Sequence, residues 1–209
     1  MRWRLLLPLL TLSWAAAVPA DGRASPQTAA EDNTSPLDDA DQAMQRGDWA
    51  QVSASLSEYG GVRDARYLAL AGRLAIQQRH YDAAVNNFDA AIRHALPRDR
   101  AEMRQYRDHA RRCGGAAASG LEDISTLKPV KRVRPVAPIA AIEQNIDGLV
   151  ETTVYIDERG RVKSALVLTA NPPKVFDDSV LIALRRWRFE PPGAPSCVLI
   201  PFTFRLREG

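Results

Sequence analysis

The chain has 209 residues, 45% hydrophobic and 25% charged, enough for one or two small folded domains. Its formal net charge of +3 includes Arg2 and Arg4; residues 1–20 hold no acid, so without them the balance is +1. Such an even balance, with no RNA- or DNA-binding fingerprint, excludes a nucleic-acid partner, whose phosphates require a concentrated basic face.

Residues 1–20 read MRWRLLLPLLTLSWAAAVPA. A short basic start leads into an apolar run from Leu5 to Val18, and Val18 and Ala20 form a small-residue cleavage site. This pattern predicts a secretory signal peptide cut after Ala20. The run is shorter than the roughly 20 residues that span a bilayer, and Pro8 interrupts it. The expectation is a periplasmic mature chain without a transmembrane helix; left uncleaved, the segment would be an inner-membrane anchor. In an oxidising compartment the two cysteines, Cys113 and Cys197, form either one disulfide or two buried thiols, and they are too few for a metal cage. The required Cα separation is not legible in sequence, so both states stay open.

Residues 21–36, DGRASPQTAAEDNTSP, carry almost no large apolar side chain and read as a disordered leader. Residues 37–113 read as a helical domain. Asp41 to Arg46 and Trp49 to Tyr59 form a first pair around Gly47, and Asp64 to Gln78 and Tyr81 to Ala95 a second. Leu68, Ala71, Leu74 and Ala75 line one apolar face of the second pair, and Ala84, Phe88, Ala91 and Ala95 the other. A polar helix from Asp99 to Arg112, with Met103, Tyr106 and Ala110 on one side, is expected to cap the array. Gly72, Tyr81, Ala84, Phe88, Ala91 and Pro97 resemble the tetratricopeptide repeat, and Trp49, Val52 and Leu56 resemble a degenerate first copy. A plain helical hairpin bundle without a peptide groove explains the same residues, and both readings stand.

Residues 114–128 read as a linker into a C-terminal domain, residues 129–209. Lys128, Lys131, Arg132 and Arg134 at this junction read as a solvated cationic face; an acidic surface such as lipid headgroups or a partner is the alternative. Val150, Thr152, Val154 and Ile156 alternate with Leu149, Glu151, Thr153 and Tyr155 in a first strand, and Asp157 to Gly160 make a turn. Val162, Ser164, Leu166 and Leu168 return on a second strand, completing a hairpin. Asn171, Pro172 and Pro173 break it. The following helix presents Phe176, Val180, Leu184 and Trp187 on one face, with Asp177 and Asp178 near its start and arginines near its end, and it is expected to stop at Pro191. The last strand puts Val198, Ile200, Phe202, Phe204 and Leu206 on one face. Pro201 lies within it, and proline is confined mainly to edge strands or bulges. This strand is therefore expected to be a sheet edge able to accept a partner strand, with Leu199, Thr203 and Arg205 facing outward.

This C-terminal stretch resembles the TonB C-terminal domain family over residues 129–207. Pro135, Pro138, Ala141, Gly148 and Val150 match the opening of the family pattern. The turn from Tyr155 to Val162, the run from Phe176 to Pro191 and the ending Phe202 to Leu206 match the rest. The resemblance implies a small α+β unit with a helix packed on an antiparallel sheet. In energy-transducing members that unit pairs a sheet edge with a short peptide of an outer-membrane transporter, while a membrane-spanning N-terminal helix works with an ion-driven motor. Here Ala137 replaces the family's usual Tyr, and an expected cleavable signal and helical repeats replace the anchor and Pro-rich spacer. The resemblance thus carries over partner binding through Val198, Leu199, Ile200, Pro201, Phe202, Thr203, Phe204 and Arg205 rather than force transmission.

No enzyme is expected. His80, His94 and His109 lie at spacings unsuited to a helical metal site, and no phosphate-binding glycine loop, GxSxG, HExxH or CxxC occurs. Asp38–Asp39 and Asp177–Asp178 fall where helix N-termini favour negative charge. The expected fold is α+β: N-terminal TPR-like hairpins, then a small antiparallel sheet with a packed helix. The expected function is that of an exported protein-binding accessory in TonB-linked envelope transport, without cofactor or metal. The alternative is a structural adaptor of the envelope that binds through its helical repeats.

Overall fold

The computed structural model of the chain describes residues 35–117, 125 and 127–206. The expected signal peptide, nearly all of the expected leader and most of the expected linker lie outside the described residues. Helix α1 (Pro36–Gln45) starts earlier than the expected Asp41. The Ser35 hydroxyl accepts from the Leu37 N–H, the Ser35 N–H donates to the Asp38 carboxylate, and Pro36 pre-sets the first helical turn. The Asp48 and Asp64 carboxylates accept the Gln51 and Tyr67 N–H groups and so cap α2 (Trp49–Glu58) and α3 (Ala65–Gln77), and α4 (Tyr81–His94) follows a tight turn. α1 packs on α2 and α3 on α4. A Cβ at Gly72 of α3 would lie 2.7 Å from the Phe88 ring of α4, so this crossing needs glycine.

Helix α5 (Arg100–Ala117) runs beyond the expected Arg112 and takes up the start of the expected linker. Next come β1 (Pro129–Lys131), the short α6 (Ile139–Glu143), β2 (Gly148–Ile156) and β3 (Val162–Asn171). They are followed by α7 (Asp177–Arg185), β4 (Arg188–Phe189) and β5 (Ser196–Phe204). β2, β3 and β5 form an antiparallel sheet in the order β3-β2-β5. At the hairpin tip Gly160 takes φ +73, and the Asp157 carboxylate accepts the N–H groups of Arg159 and Arg161. α7 ends at Arg185, short of the expected Pro191, because residues 188–189 leave the helix to pair with β1 in a second, two-stranded sheet. A two-residue strand is too short to show any alternation in sequence.

One face of the three-stranded sheet carries Val150, Val154, Val198, Ile200 and Phe204 and is covered by Phe176, Val180, Leu184 and Trp187 of the α7 segment. The expected apolar stripe is therefore core. β3 is less regular than its expected alternation: the register against β2 shifts twice. Val162, Ala165 and Val167 turn to the α7 face, while Ser164, Leu166 and Leu168 turn to the opposite one.

That opposite face is not open to solvent. Tyr155, Leu166, Leu168, Cys197 and Leu199 pack against Ile76, Tyr81, Phe88, Tyr106, Ala110 and Cys113 of the helical array. Cys113 and Cys197 are joined by a disulfide with Cα atoms 5.3 Å apart. The described residues all fall in one compact unit, residues 34–209, rather than in two modules strung on a linker. α5, expected to cap a free helical array, is the layer between that array and the sheet.

Candidate partner-binding edge

β5 pairs with β2 without interruption, from Ser196 opposite Ile156 to Phe204 opposite Gly148. Among the described residues no strand pairs with its other side. Two observations fix which backbone groups face that open side. The Ile200 carbonyl accepts from Thr152 Oγ1 at 2.8 Å, so Ile200 faces β2. Pro201, opposite Glu151, has no N–H to give to the ladder, so its nitrogen belongs on the outer side. Backbone groups alternate direction along a strand, so the N–H and C=O groups of Leu199 and Thr203 and the C=O of Pro201 point outward.

Side chains alternate in the perpendicular direction. Val198, Ile200 and Phe204 are buried under α7, and Phe204 stacks on Phe176 at 4.2 Å. Phe202 is half-buried, 5.8 Å from the Trp187 ring. Leu199 does not face solvent as expected, because the helical array packs on it. Arg205 lies beyond the end of the strand, and Leu206 closes the sheet through its N–H to Asp147 at 2.8 Å. Of the residues expected to bind, Pro201, Thr203 and Arg205 are left with exposed side chains.

β3, the other outer strand, is fastened on its far side. The Tyr106 hydroxyl donates to the Val167 carbonyl, Thr169 Oγ1 donates to the Met44 carbonyl, and α7 packs alongside. The two outer strands are thus unequal: the backbones of α1, α5 and α7 all pack close on β3, whereas of these helices only α5 packs as close on β5. Its first residues are held by the disulfide, which anchors the edge without covering its later half.

Beneath the edge, His109 is fully buried between the layers. Its ring nitrogens lie 2.8 Å from Ser164 Oγ and 2.8 Å from Thr153 Oγ1. Burial, with a smaller contribution from Arg112, lowers its pKa to about 3, so the imidazole is neutral. His109, Cys113 and Cys197 bring their ligand atoms within 4.8 Å of one another, but both sulfurs are committed to the disulfide. Sequence placed His109 on a polar helix and carried no signal of this contact, which depends on which face of α5 meets the sheet.

The helical array offers a second concavity of about 480 Å³, lined among others by Arg66, Arg73, Phe88, Leu96, Glu102 and Tyr106. Arg66 is tied to Asp38 and Asp41, and Arg73 to Glu102 at 2.9 Å with its guanidinium over the Tyr106 ring at 4.7 Å. Its cations are therefore already paired.

Residues 133–206 match the family described as Gram-negative bacterial TonB protein C-terminal. The chain is 31% identical over 83 residues to "Protein TonB" of Yersinia enterocolitica, covering 40% of this chain and 32% of that protein. It is 36% identical over 77 residues to that of Pseudomonas aeruginosa, covering 37% of this chain and 22% of the relative. It is 30% identical over 79 residues to that of Escherichia coli K12, covering 38% and 33%. The chain thus spans about a third or less of the length of these relatives. Among solved structures, the "Solution NMR structure of Pseudomonas aeruginosa TonB CTD" covers 42% of this chain and 93% of its own, at 30% identity and a TM-score of 0.37.

Proposed function

We propose that this chain is an exported, periplasmic, non-enzymatic binding protein that serves as an accessory in TonB-linked envelope transport, accepting a partner strand on the outer side of β5. The observation that carries the reading is the unequal pair of outer strands: β3 is flanked by α1, α5 and α7 and its Val167 carbonyl is taken by Tyr106, while β5 presents the backbone groups of Leu199, Pro201 and Thr203. Added main-chain hydrogen bonds would supply affinity, and Pro201, Thr203 and Arg205 would tune the choice of partner. The match of residues 133–206 to the TonB C-terminal family supports an outer-membrane transporter segment as that partner.

Site-specific crosslinking tests this. A photo-reactive side chain at Thr203 is expected to capture an envelope protein, and one at Leu96 in the helical concavity is not. Capture from Leu96 alone would favour the second reading, an adaptor that binds through its helical array. The concavity of about 480 Å³ keeps that reading alive.

A further inference from the structure

The stretch from Leu127 to Ile142 crosses the α7 side of the C-terminal unit as a strap. Leu127 and Ala141 are buried in the core there, and Val133 and Ala137 pack against it. The Val133 carbonyl accepts the Trp187 indole N–H at 2.8 Å. Between these anchors the strap leaves apolar side chains outside: Val130 is 68% exposed, Val136 77%, Ile139 74% and Ile142 50%. Single exposed aliphatics need no explanation, but Val136, Ile139 and Ile142 follow one another closely at the α6 end of the strap, while Val130 lies at the β1 end near the hairpin tip. Lys128, Lys131, Arg132 and Arg134, all exposed, surround Val130 and precede the other three; Lys128 lies 3.7 Å from the Glu190 carboxylate, and residues 128–142 themselves contain no acid.

Pairing of β1 with β4 concentrates the charge further. Lys131 lies opposite Arg188, and neither has an acidic partner among the described residues. Like charges directly across a strand pair are destabilising, and a bound anion would relieve them. Arg132 lies over the Trp187 ring at 5.2 Å, which holds a further cation at the same surface.

The geometry points to this strap as a docking surface for an anionic phospholipid bilayer. Exposed aliphatics toward the α6 end gain by entering the acyl boundary, and the cations toward the β1 end meet lipid phosphates. An acidic protein partner would engage the cations alone. Val and Ile are not the aromatic anchors that dominate protein interfaces, and the stretch has no acid to set a register. The surface is separate from the outer side of β5 and does not depend on it.

The test uses the full isotope-labelled chain with bilayer nanodiscs carrying a headgroup spin label, in mixed phosphatidylglycerol/phosphatidylcholine or in phosphatidylcholine alone. The expected result is amide broadening over residues 130–142 and around Arg188 that requires phosphatidylglycerol and is suppressed by about 0.5 M salt. The double variant K131E/R134E is expected to bind roughly 30-fold more weakly, at about fivefold per cation removed. Its melting temperature should not fall, because the carboxylate introduced at 131 would lie opposite Arg188. V136S/I139S should also weaken binding, with the charges unchanged. Absence of broadening at 130–142, equal broadening on phosphatidylcholine alone, or undiminished binding by K131E/R134E would overturn the proposal. So would binding of polyglutamate at these residues without binding of the anionic bilayer, which would identify an acidic protein instead.

Discussion

Trp49 and Glu151, 102 positions apart in the chain, are joined by a 2.8 Å hydrogen bond from the indole N–H to the carboxylate. Trp49 opens α2 and Glu151 sits in the central strand, so the bond crosses from the helical array to the sheet. With the disulfide and the shared apolar layer, it makes the two regions one cooperative body. Helix and sheet signals are expected to be lost in one coincident transition on urea unfolding. Trp49→Phe, which removes the donor and leaves the carboxylate half-buried, should lower stability by about 1.5 to 3 kcal/mol. Two separated transitions by circular dichroism would show that the layers fold independently.

The buried His109 makes stability depend on pH. Its pKa in the fold is about 3, against an ordinary 6.5. Below pH 6.5 the unfolded chain takes up a proton that the folded chain refuses, so stability falls as the pH drops through that window. The slope is about 1.4 kcal/mol per pH unit, or about 2 kcal/mol between pH 6.5 and 5. Burial holds the Asp177 carboxyl above its ordinary range, which acts in the opposite sense. The His109 share is therefore read by difference: His109→Gln should remove most of the loss between pH 6.5 and 5 in urea titrations. An unchanged slope in the variant would assign it to other groups.

The disulfide closes a loop with a sequence separation of 84. In the chain-entropy treatment a loop of that length contributes about 4 to 5 kcal/mol by restricting the unfolded chain. Replacing Cys113 and Cys197 together by Ala should lower stability by up to that amount and loosen the start of β5. Hydrogen exchange would show this as lost protection at Val198 and Ile200, whose N–H groups face β2, with α3 and α4 retained.

Several parts of this architecture were legible because one local signal decided each of them. Apolar alternation in residues 198–204 and the 3.6-residue period of Phe176, Val180 and Leu184 marked the α7-side core, and Pro201 marked an edge. The second face of the sheet was not legible. Thr153, Ser164 and Glu151 look like solvent-facing strand residues, yet they meet His109 of α5 and Trp49 of α2, and only the docking of the helical array decides that. Leu199 was misjudged for the same reason. The β1–β4 pair was missed because like charges at Lys131 and Arg188 give no hint that the residues are neighbours.

The outer side of β5 is expected to separate binding from folding. Thr203 is exposed and opposite Leu149, with its N–H directed away from β2 by the same alternation that places Ile200 toward it. Thr203→Pro removes an outward donor without removing a ladder bond and should keep the fold, since Pro201 already occupies an equivalent position two residues earlier. Phe204→Ala, by contrast, removes a buried ring stacked on Phe176 at 4.2 Å and should cost about 3 to 5 kcal/mol. In an NMR titration with a peptide from a crosslinked partner, the parent chain should show shifts at Leu199 to Arg205. Thr203→Pro should show weaker binding at unchanged stability. Full-strength binding by Thr203→Pro, or shifts confined to α1–α4, would remove β5 as the binding edge and leave the helical concavity as the site.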